Sequence, residues 1–178
     1  MKPLIFSFCI IFFCTLFLRA NESGTSDYFT YARMQLKKYH PPRQDYVIII
    51  DYRKSIISDR LYVLDMKNNH VVLSSNVSHA WNTGAMYARK FSNELGSNTS
   101  CKGNFLTRGT KYGKYGYSMI IKGLDQGIND KALSRAIIFH SDTKMKTKWS
   151  WGCFATPEKI NKQIIDLTKN GVLVCVMV

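Results

Sequence analysis

Tyr46-Val47-Ile48-Ile49-Ile50 is apolar at every position, and four of its five side chains are β-branched. A strand with one face in water alternates, whereas a strand apolar on both faces must be covered on both, so this run predicts a central strand of a β domain. Working outward, Leu61-Tyr62-Val63-Leu64 and Val71-Val72-Leu73 are further strands, and Lys67-Asn68-Asn69 between them predicts a hairpin. On the N-terminal side, Ser26 can cap a helix running to about Tyr39 with Phe29, Ala32 and Leu36 on one face, stopped by Pro41-Pro42. On the C-terminal side, the stretch from Asn76 to Gly116 is rich in Gly, Ser, Asn and Thr and is expected to be one long structured loop over the β scaffold, a common place for function. Tyr117 to Lys122 restores regular structure, followed by a short helix near Asp130 to Arg135 and a strand Ala136-Ile137-Ile138-Phe139 that delivers His140 at its end. A helix from Pro157 to Lys169, stopped by Asn170-Gly171, and a strand from Val172 to Val178 complete a mainly β chain with flanking helices, of the α+β class.

The N-terminus has the layout of an export signal. One lysine precedes an apolar run from Leu4 to Leu18, and Arg19-Ala20 leads into the polar Asn21-Glu22-Ser23-Gly24. Residues 1–20 are therefore expected to be a signal peptide or, uncleaved, an anchor that adds peripheral or N-terminal membrane association; the run is short for a span of about 20 residues. Either outcome puts the folded part outside the cytoplasm, in a periplasm or cell envelope. Residues 21–45 form a helix and lead-in, and 46–178 one domain, large enough to bury its own core and expected to be a monomer.

The formal charge is +13, which becomes +11 once Lys2 and Arg19 leave with the leader. An exported basic domain is drawn to polyanionic envelope polymers and headgroups, and nucleic acid is not an expected partner in that compartment. Of five cysteines, Cys101, Cys153 and Cys175 lie beyond the leader. An odd number in an oxidising compartment leaves at least one free thiol; Cys101 with Cys175 is the pairing to consider, although Cys175 in a terminal apolar strand also suits a buried free thiol.

Ser150-Trp151-Gly152-Cys153, with His140-Ser141 upstream, supplies the parts of a nucleophilic site. Thr156-Pro157-Glu158 has the composition of a helix start, with Thr as N-cap and Pro at the first helical position. Cys153 about one turn ahead of that terminus would have its thiol pKa lowered by the helix dipole. Gly152 allows a bend that points neighbouring N–H groups at one spot, as an oxyanion hole requires. His140, at a strand end, can meet Cys153 if the two segments are neighbours, giving a thiolate–imidazolium pair. Taken singly, each residue would more often be an inert buried thiol or an ordinary surface imidazole. Metal binding fits poorly, because neither residue has a second Cys or His at ligand spacing. A papain-like order, with Cys before His, is the reverse of the order here.

The pattern His140-Ser141, a lysine-rich loop and Ser150-Trp151-Gly152-Cys153 resembles that of L,D-transpeptidase catalytic domains, the cysteine enzymes that cross-link peptidoglycan, and most closely the branch with Trp before Gly-Cys. The resemblance extends through Phe91-Ser92-Asn93, Gly96-Ser97, Gly103-Asn104-Phe105, Tyr112 to Ser118, Gly123-Leu124, Asn129 and Arg135 to Ile138, covering roughly Tyr46 to the C-terminus. It implies an L,D-transpeptidase-like β-sandwich with mixed sheets. It also implies that Cys153 is the nucleophile, His140 its base, the Ser141 carbonyl the group that fixes the imidazole tautomer, and the Gly152 and Cys153 N–H groups the oxyanion donors. Ser150, Trp151, His79, Tyr117 and Asn129 are candidate substrate contacts, with His79 equally suited to ordering the loop and Tyr112, Tyr115 and Tyr117 suited to shaping the cleft. The substrate class is the peptidoglycan stem peptide, the product a 3→3 cross-link formed through an acyl-enzyme, and no metal or organic cofactor is required.

The chain departs from the family around the nucleophile. It has Lys148-Trp149 before the Ser, Phe154 after the Cys, and Thr156 where the family has an arginine. Loss of a guanidinium alters carboxylate recognition, for which Lys144, Lys146 or Lys148 are substitutes. An L,D-carboxypeptidase or an enzyme detaching proteins from peptidoglycan is thus a second expectation, and a non-catalytic murein-binding domain a third.

Overall fold

The computed structural model describes residues 25–144 and 148–178, so the expected signal segment, residues 1–20, lies outside the described residues. Helix α1 (25–39) comes first. It is followed by β1 (Tyr46–Asp51), β2 (Leu61–Asp65), β3 (His70–Ser75), β4 (Gly103–Gly113), β5 (Gly116–Gly123), β6 (Ile138–Ser141), β7 (Phe154–Thr156), α2 (Glu158–Thr168) and β8 (Leu173–Met177). The strands form one mixed sheet in the order β3-β2-β1-β8-β4-β5-β6-β7. Only β1/β8 and β6/β7 pair in parallel among the described strands.

The run at Tyr46–Ile50 is interior, hydrogen-bonded to β2 on one side and β8 on the other. Its alternate side chains enter two different cores. Ile48 and Ile50 join Leu61, Val63, Phe105, Met119, Phe139, Phe154 and Val174, while Val47 and Ile49 pack with Tyr62, Leu64, Leu173, Cys175 and the α1 residues Tyr28, Phe29, Ala32 and Leu36. The first cluster draws on seven strands of one sheet. Eight flat strands would span about 34 Å at the usual inter-strand spacing, so the sheet must curl over to bring β2 and β6 into one core, a barrel-like form of the expected sandwich. Each phenylalanine buried there contributes on the order of 1.5–3 kcal/mol. Helix α1 is a packed layer, tied to the sheet by the Tyr28 hydroxyl donating to Asp51 Oδ2 at 2.7 Å. No helix among the described residues is long and apolar enough to cross a membrane.

Several expectations change. Thr25 is already helical, so Ser26 lies inside α1 and is not its cap. The polar stretch 76–116 is a loop only to residue 102; β4 occupies its second half. The outer end of β4 is exposed and pairs with β5 as a projecting ribbon, which is why its sequence lacks an apolar alternation. Asp130–Arg135 forms hydrogen-bonded turns ending at Ala136 with φ 53°, not a helix, and the strand begins at Ile138. Helix α2 starts at Glu158 with Pro157 at its cap, while Thr156 is the last residue of β7. Its end at Asn170-Gly171 is as expected, both residues having positive φ. Cys101 and Cys175 are free thiols, each buried in a different one of the two cores, so they do not form the bridge considered above.

Candidate active site

The parallel pair β6/β7 aligns Phe139 with Phe154 and His140 with Ala155. Phe139 and Phe154 point into the core; by alternation His140 and Cys153 project from the other face, two residues apart in register. Ideal strand geometry puts their Cα positions about 8 Å apart. The parallel pairing of β6 and β7 thus puts the two residues on one face.

His140 is buried, and its Nδ1–H donates to the Ser141 carbonyl at 2.7 Å. That bond leaves the Nε2 lone pair free to accept a proton. Burial lowers the imidazole pKa, and the Ser141 carbonyl pulls it partly back. The Tyr115 ring, at the β4–β5 turn, stacks on the imidazole.

Cys153 retains some solvent exposure, and its thiol donates to the Ala136 carbonyl at 3.6 Å. Protein nevertheless surrounds the sulfur closely enough to raise its pKa, against the pull of the Ile138 N–H and of the Lys111 and Arg135 charges. This reverses the expected depression. The strand β7 and Pro157 separate Cys153 from α2, more than roughly 10 Å of extended chain, and a helix dipole acts over little more than its first turn.

Gly152 has φ 125°, and a Cβ there would lie 2.8 Å from Ile137 Cδ1 and 3.0 Å from the Thr99 carbonyl. Only glycine fits this turn. The turn is braced from within, since Ser150 Oγ accepts from the Gly152 N–H at 3.1 Å and donates to the Cys153 carbonyl at 2.7 Å. Two expected site groups thus have partners at rest: the Gly152 N–H is held by Ser150 Oγ, and the buried Ser150 hydroxyl is engaged within the turn.

The other expected contacts divide sharply. Asn129 is fully buried; its amide donates to the Lys102 and Asn104 carbonyls and its Oδ1 accepts from the Asp125 N–H, so it ties loops together and lines no cleft. His79 is fully buried too. Its Nε2–H donates to the Gly84 carbonyl at 2.6 Å, its Nδ1 accepts from Arg60 at 3.0 Å, and burial pushes its pKa down to about 4. Of the two roles expected for it, loop ordering is the one its bonds fit. Tyr117 is half-buried, donates to Asp166 at 3.0 Å, and lines a groove of about 410 Å³ with Tyr115, Ser141 and Asn161. Trp151 is exposed two residues before Cys153 and lines a second groove with Trp81 and Trp149. Lys148 is exposed, whereas Lys146 and the Lys144 side chain lie outside the described residues.

Sequence reading missed the two arginines that support this surface. Arg60 is fully buried, stacks over Tyr52 and donates to the Val77 carbonyl. Arg135 donates to the Ser92 and Thr99 carbonyls and to Cys101 Sγ, pinning the loop against which Gly152 packs. Neither forms an ion pair with a carboxylate among the described residues, and no group of three or more His, Cys, Asp or Glu among them could hold a metal ion.

With this geometry in place, comparison with known proteins assigns the family. Residues 21–177 match the L,D-transpeptidase catalytic domain. The chain belongs to that family. Its L,D-transpeptidase fold is also that of the helical cell shape determining protein Pgp2 of Campylobacter jejuni, at 13% identity and TM-score 0.53 over 74% of this chain and 46% of that one. Weaker likenesses are to the Ldtfm-avibactam carbamoyl enzyme (14% identity, TM-score 0.49, 75% of this chain and 49% of that one) and to an L,D-transpeptidase from Stackebrandtia nassauensis (14% identity, TM-score 0.46, 75% and 56%). This L,D-transpeptidase-family chain thus spans about half the length of the solved structures it resembles. No curated protein matches its sequence.

Proposed function

We propose that the protein is an exported cysteine L,D-transpeptidase that acts on peptidoglycan stem peptides through a Cys153 acyl-enzyme and forms 3→3 cross-links. The observation that carries this reading is the placement of His140 and Cys153 on one face of the β6/β7 pair, with the His140 Nδ1–H held by the Ser141 carbonyl and Nε2 left as the base.

Burial acts on both groups in the same sense, favouring a neutral imidazole and a neutral thiol at rest. His140 then removes the thiol proton as sulfur attacks the donor carbonyl, and the resulting imidazolium is stabilised by the Ser141 carbonyl and the Tyr115 ring face. The tetrahedral oxyanion is held by the Cys153 N–H. The Gly152 N–H joins it by exchanging the Ser150 hydroxyl for a charged acceptor, which makes the stronger bond. Collapse breaks the amide, and His140 returns its proton to the departing D-amino acid nitrogen. In the second half-reaction His140 takes a proton from the acceptor amine as it attacks the thioester, and returns that proton to the sulfur as the C–S bond breaks, restoring the neutral pair. Water in place of the amine gives L,D-carboxypeptidase activity on the same residues, a reading supported by the loss of the arginine that the family carries where this chain has Thr156, a change that alters carboxylate recognition.

The test is mass spectrometry of the protein after incubation with a carbapenem, followed by tetrapeptide muropeptides as substrate. One covalent adduct on the wild type and none on Cys153→Ala is the expected result, with 3→3 dimers as product. Tripeptides alone would replace transfer by hydrolysis. No adduct at all would leave a murein-binding domain.

A further inference from the structure

All three tryptophans of the chain meet at one groove. It has a volume of about 570 Å³ and is lined by Trp81, Asn82, Asn98, Trp149, Ser150 and Trp151, within the range of about 300–1,000 Å³ typical of small-ligand sites. The walls are not a packed core left open by chance. Trp81 and Trp151 are 59% and 72% exposed. The Trp81 and Trp149 rings stand edge to face, centroids 4.5 Å apart and planes at 87°, so the groove has a flat floor and a perpendicular wall. Trp149 is fixed by its Nε1–H donating to the Ala85 carbonyl at 2.8 Å. A two-way zipper holds the rims together: the Ser150 N–H donates to the His79 carbonyl at 2.9 Å and the Trp81 N–H to the Ser150 carbonyl at 3.3 Å. The buried His79 therefore acts here at one remove, by locking the loop that presents Trp81.

The lining selects a chemistry. In a chain of formal charge +13, none of the described lining residues is charged, which does not suit a phosphate, a carboxylate or an anionic headgroup. What it offers is flat apolar ring faces beside neutral amides. Asn82 uses its Nδ2 on the Ser97 carbonyl at 3.1 Å, which orients its Oδ1 as an acceptor, and Asn98 is held in the left-handed region at φ 50°. Ring faces pack against the C–H faces of pyranose sugars, and amides exchange hydrogen bonds with acetamido groups. From this combination we infer that the groove binds the N-acetylated glycan strand that carries the stem peptide. The inference rests on the proposed peptidoglycan substrate and names a second part of it.

Distance agrees. In a donor acylated at its third residue, three residues, that one included, separate the scissile carbonyl from the sugar, about 10 Å of extended chain. Trp151 precedes Cys153 by two residues, so its Cα is within about 7 Å along the chain, and its side chain extends the platform further.

Because the groove holds every tryptophan, fluorescence excited selectively at tryptophan reports it. The experiment is a fluorescence titration of the full protein with a peptide-free β-1,4-linked N-acetylglucosamine tetrasaccharide up to roughly 10 mM, the range of weak sugar contacts. A saturable change is expected. Trp81→Ala and Trp151→Ala should each weaken it about tenfold, the weight of one aromatic contact. Trp81→Phe, which keeps a ring face, should restore most of the loss, and Cys153→Ala should bind as the wild type does. No saturable change, or binding that Trp81→Ala leaves intact, overturns the inference. So does Trp81-dependent binding to phosphatidylglycerol vesicles with none to the saccharide. The ligand has no peptide, so a carbapenem adduct without saccharide binding removes only the glycan site, and saccharide binding without an adduct removes only the catalytic reading.

Discussion

The Tyr115 ring lies on the His140 imidazole with centroids 4.3 Å apart and planes 22° from parallel. A ring face stabilises a cation placed over it by about 0.5–2 kcal/mol when solvent is excluded, and in the proposed mechanism the imidazole becomes a cation as it takes the thiol proton. Tyr115→Leu keeps the cover but removes the ring, so the acylation rate constant is expected to fall about three- to tenfold. The acidic limb of its pH profile should move to lower pH, because the protonated form loses support. Tyr115→Phe should behave as the wild type does. A Leu variant with an unmoved profile would reduce Tyr115 to packing.

The Cys153 turn depends on a residue without a side chain. Gly152→Ala must both hold φ 125° and bring a Cβ against Ile137 and the Thr99 carbonyl. Destabilisation of about 2 kcal/mol or more is expected, together with loss of carbapenem acylation in whatever protein remains folded. Gly113→Ala, where a Cβ meets nothing within 4 Å, is the control and should shift the urea midpoint little. Equal midpoints for the two variants would show that the turn tolerates a side chain.

These residues also show what could be read from the sequence. The interior strand at Tyr46–Ile50 was visible because a residue buried on both faces leaves an unbroken apolar run, and α2 because its ends carry Pro157 and Gly171. β4 was hidden among glycines and threonines, since its exposed ribbon beyond Thr107 has no buried face to mark. At the site, the order His140 to Cys153 carried the geometry through one parallel pairing. Asn129 and His79 were placed at the cleft on resemblance alone; their bonds run to backbone groups, which no residue pattern records. The expected depression of the thiol pKa fails because residues 154–156 form an extended strand, which sets the helix start beyond the reach of its dipole.

Thr156 carries a buried hydroxyl with no hydrogen-bond partner among the described residues. Leaving such a group unpartnered is unfavourable by about 1–3 kcal/mol, and replacing it by an isosteric methyl removes that penalty. Thr156→Val is accordingly expected to stabilise the fold by about 1 kcal/mol, raising the melting temperature by roughly 2–4 °C. A drop in the denaturant midpoint would mean that the hydroxyl is bonded in solution.

The resting state of the Cys153 thiol can be measured by alkylation. With burial raising the Cys153 pKa, the rate of reaction with iodoacetamide should inflect above 9.0, the ordinary thiol value, while the buried Cys101 and Cys175 stay unmodified. Lys111→Gln removes one of the charges that pull the value down, so it should move the inflection higher. An inflection near neutral pH would indicate a preformed thiolate–imidazolium pair and would rule out the neutral pair argued above.

Folding stability should carry the mark of His79. Its pKa is pushed from the ordinary 6.5 to about 4 by burial, so the unfolded chain binds the proton more readily than the folded one between those values. The neutral imidazole's contribution is complete above pH 6.5, falls as the pH drops through that window, and is gone below about 4, a loss of about 3 kcal/mol. His140, also lowered, adds to the same slope. The paired carboxylates Asp45, Asp51, Asp65, Asp130 and Asp166 are all held below 3.8, so their contribution is lost mainly at lower pH and does not account for the slope near pH 6. Urea midpoints measured from pH 7.5 to 4.5 should therefore decline steeply in the wild type and less so in His79→Gln. If the two slopes coincide, protonation of His79 is not what destabilises the loop, and the neutral bridge between Arg60 and the Gly84 carbonyl is not maintained in solution.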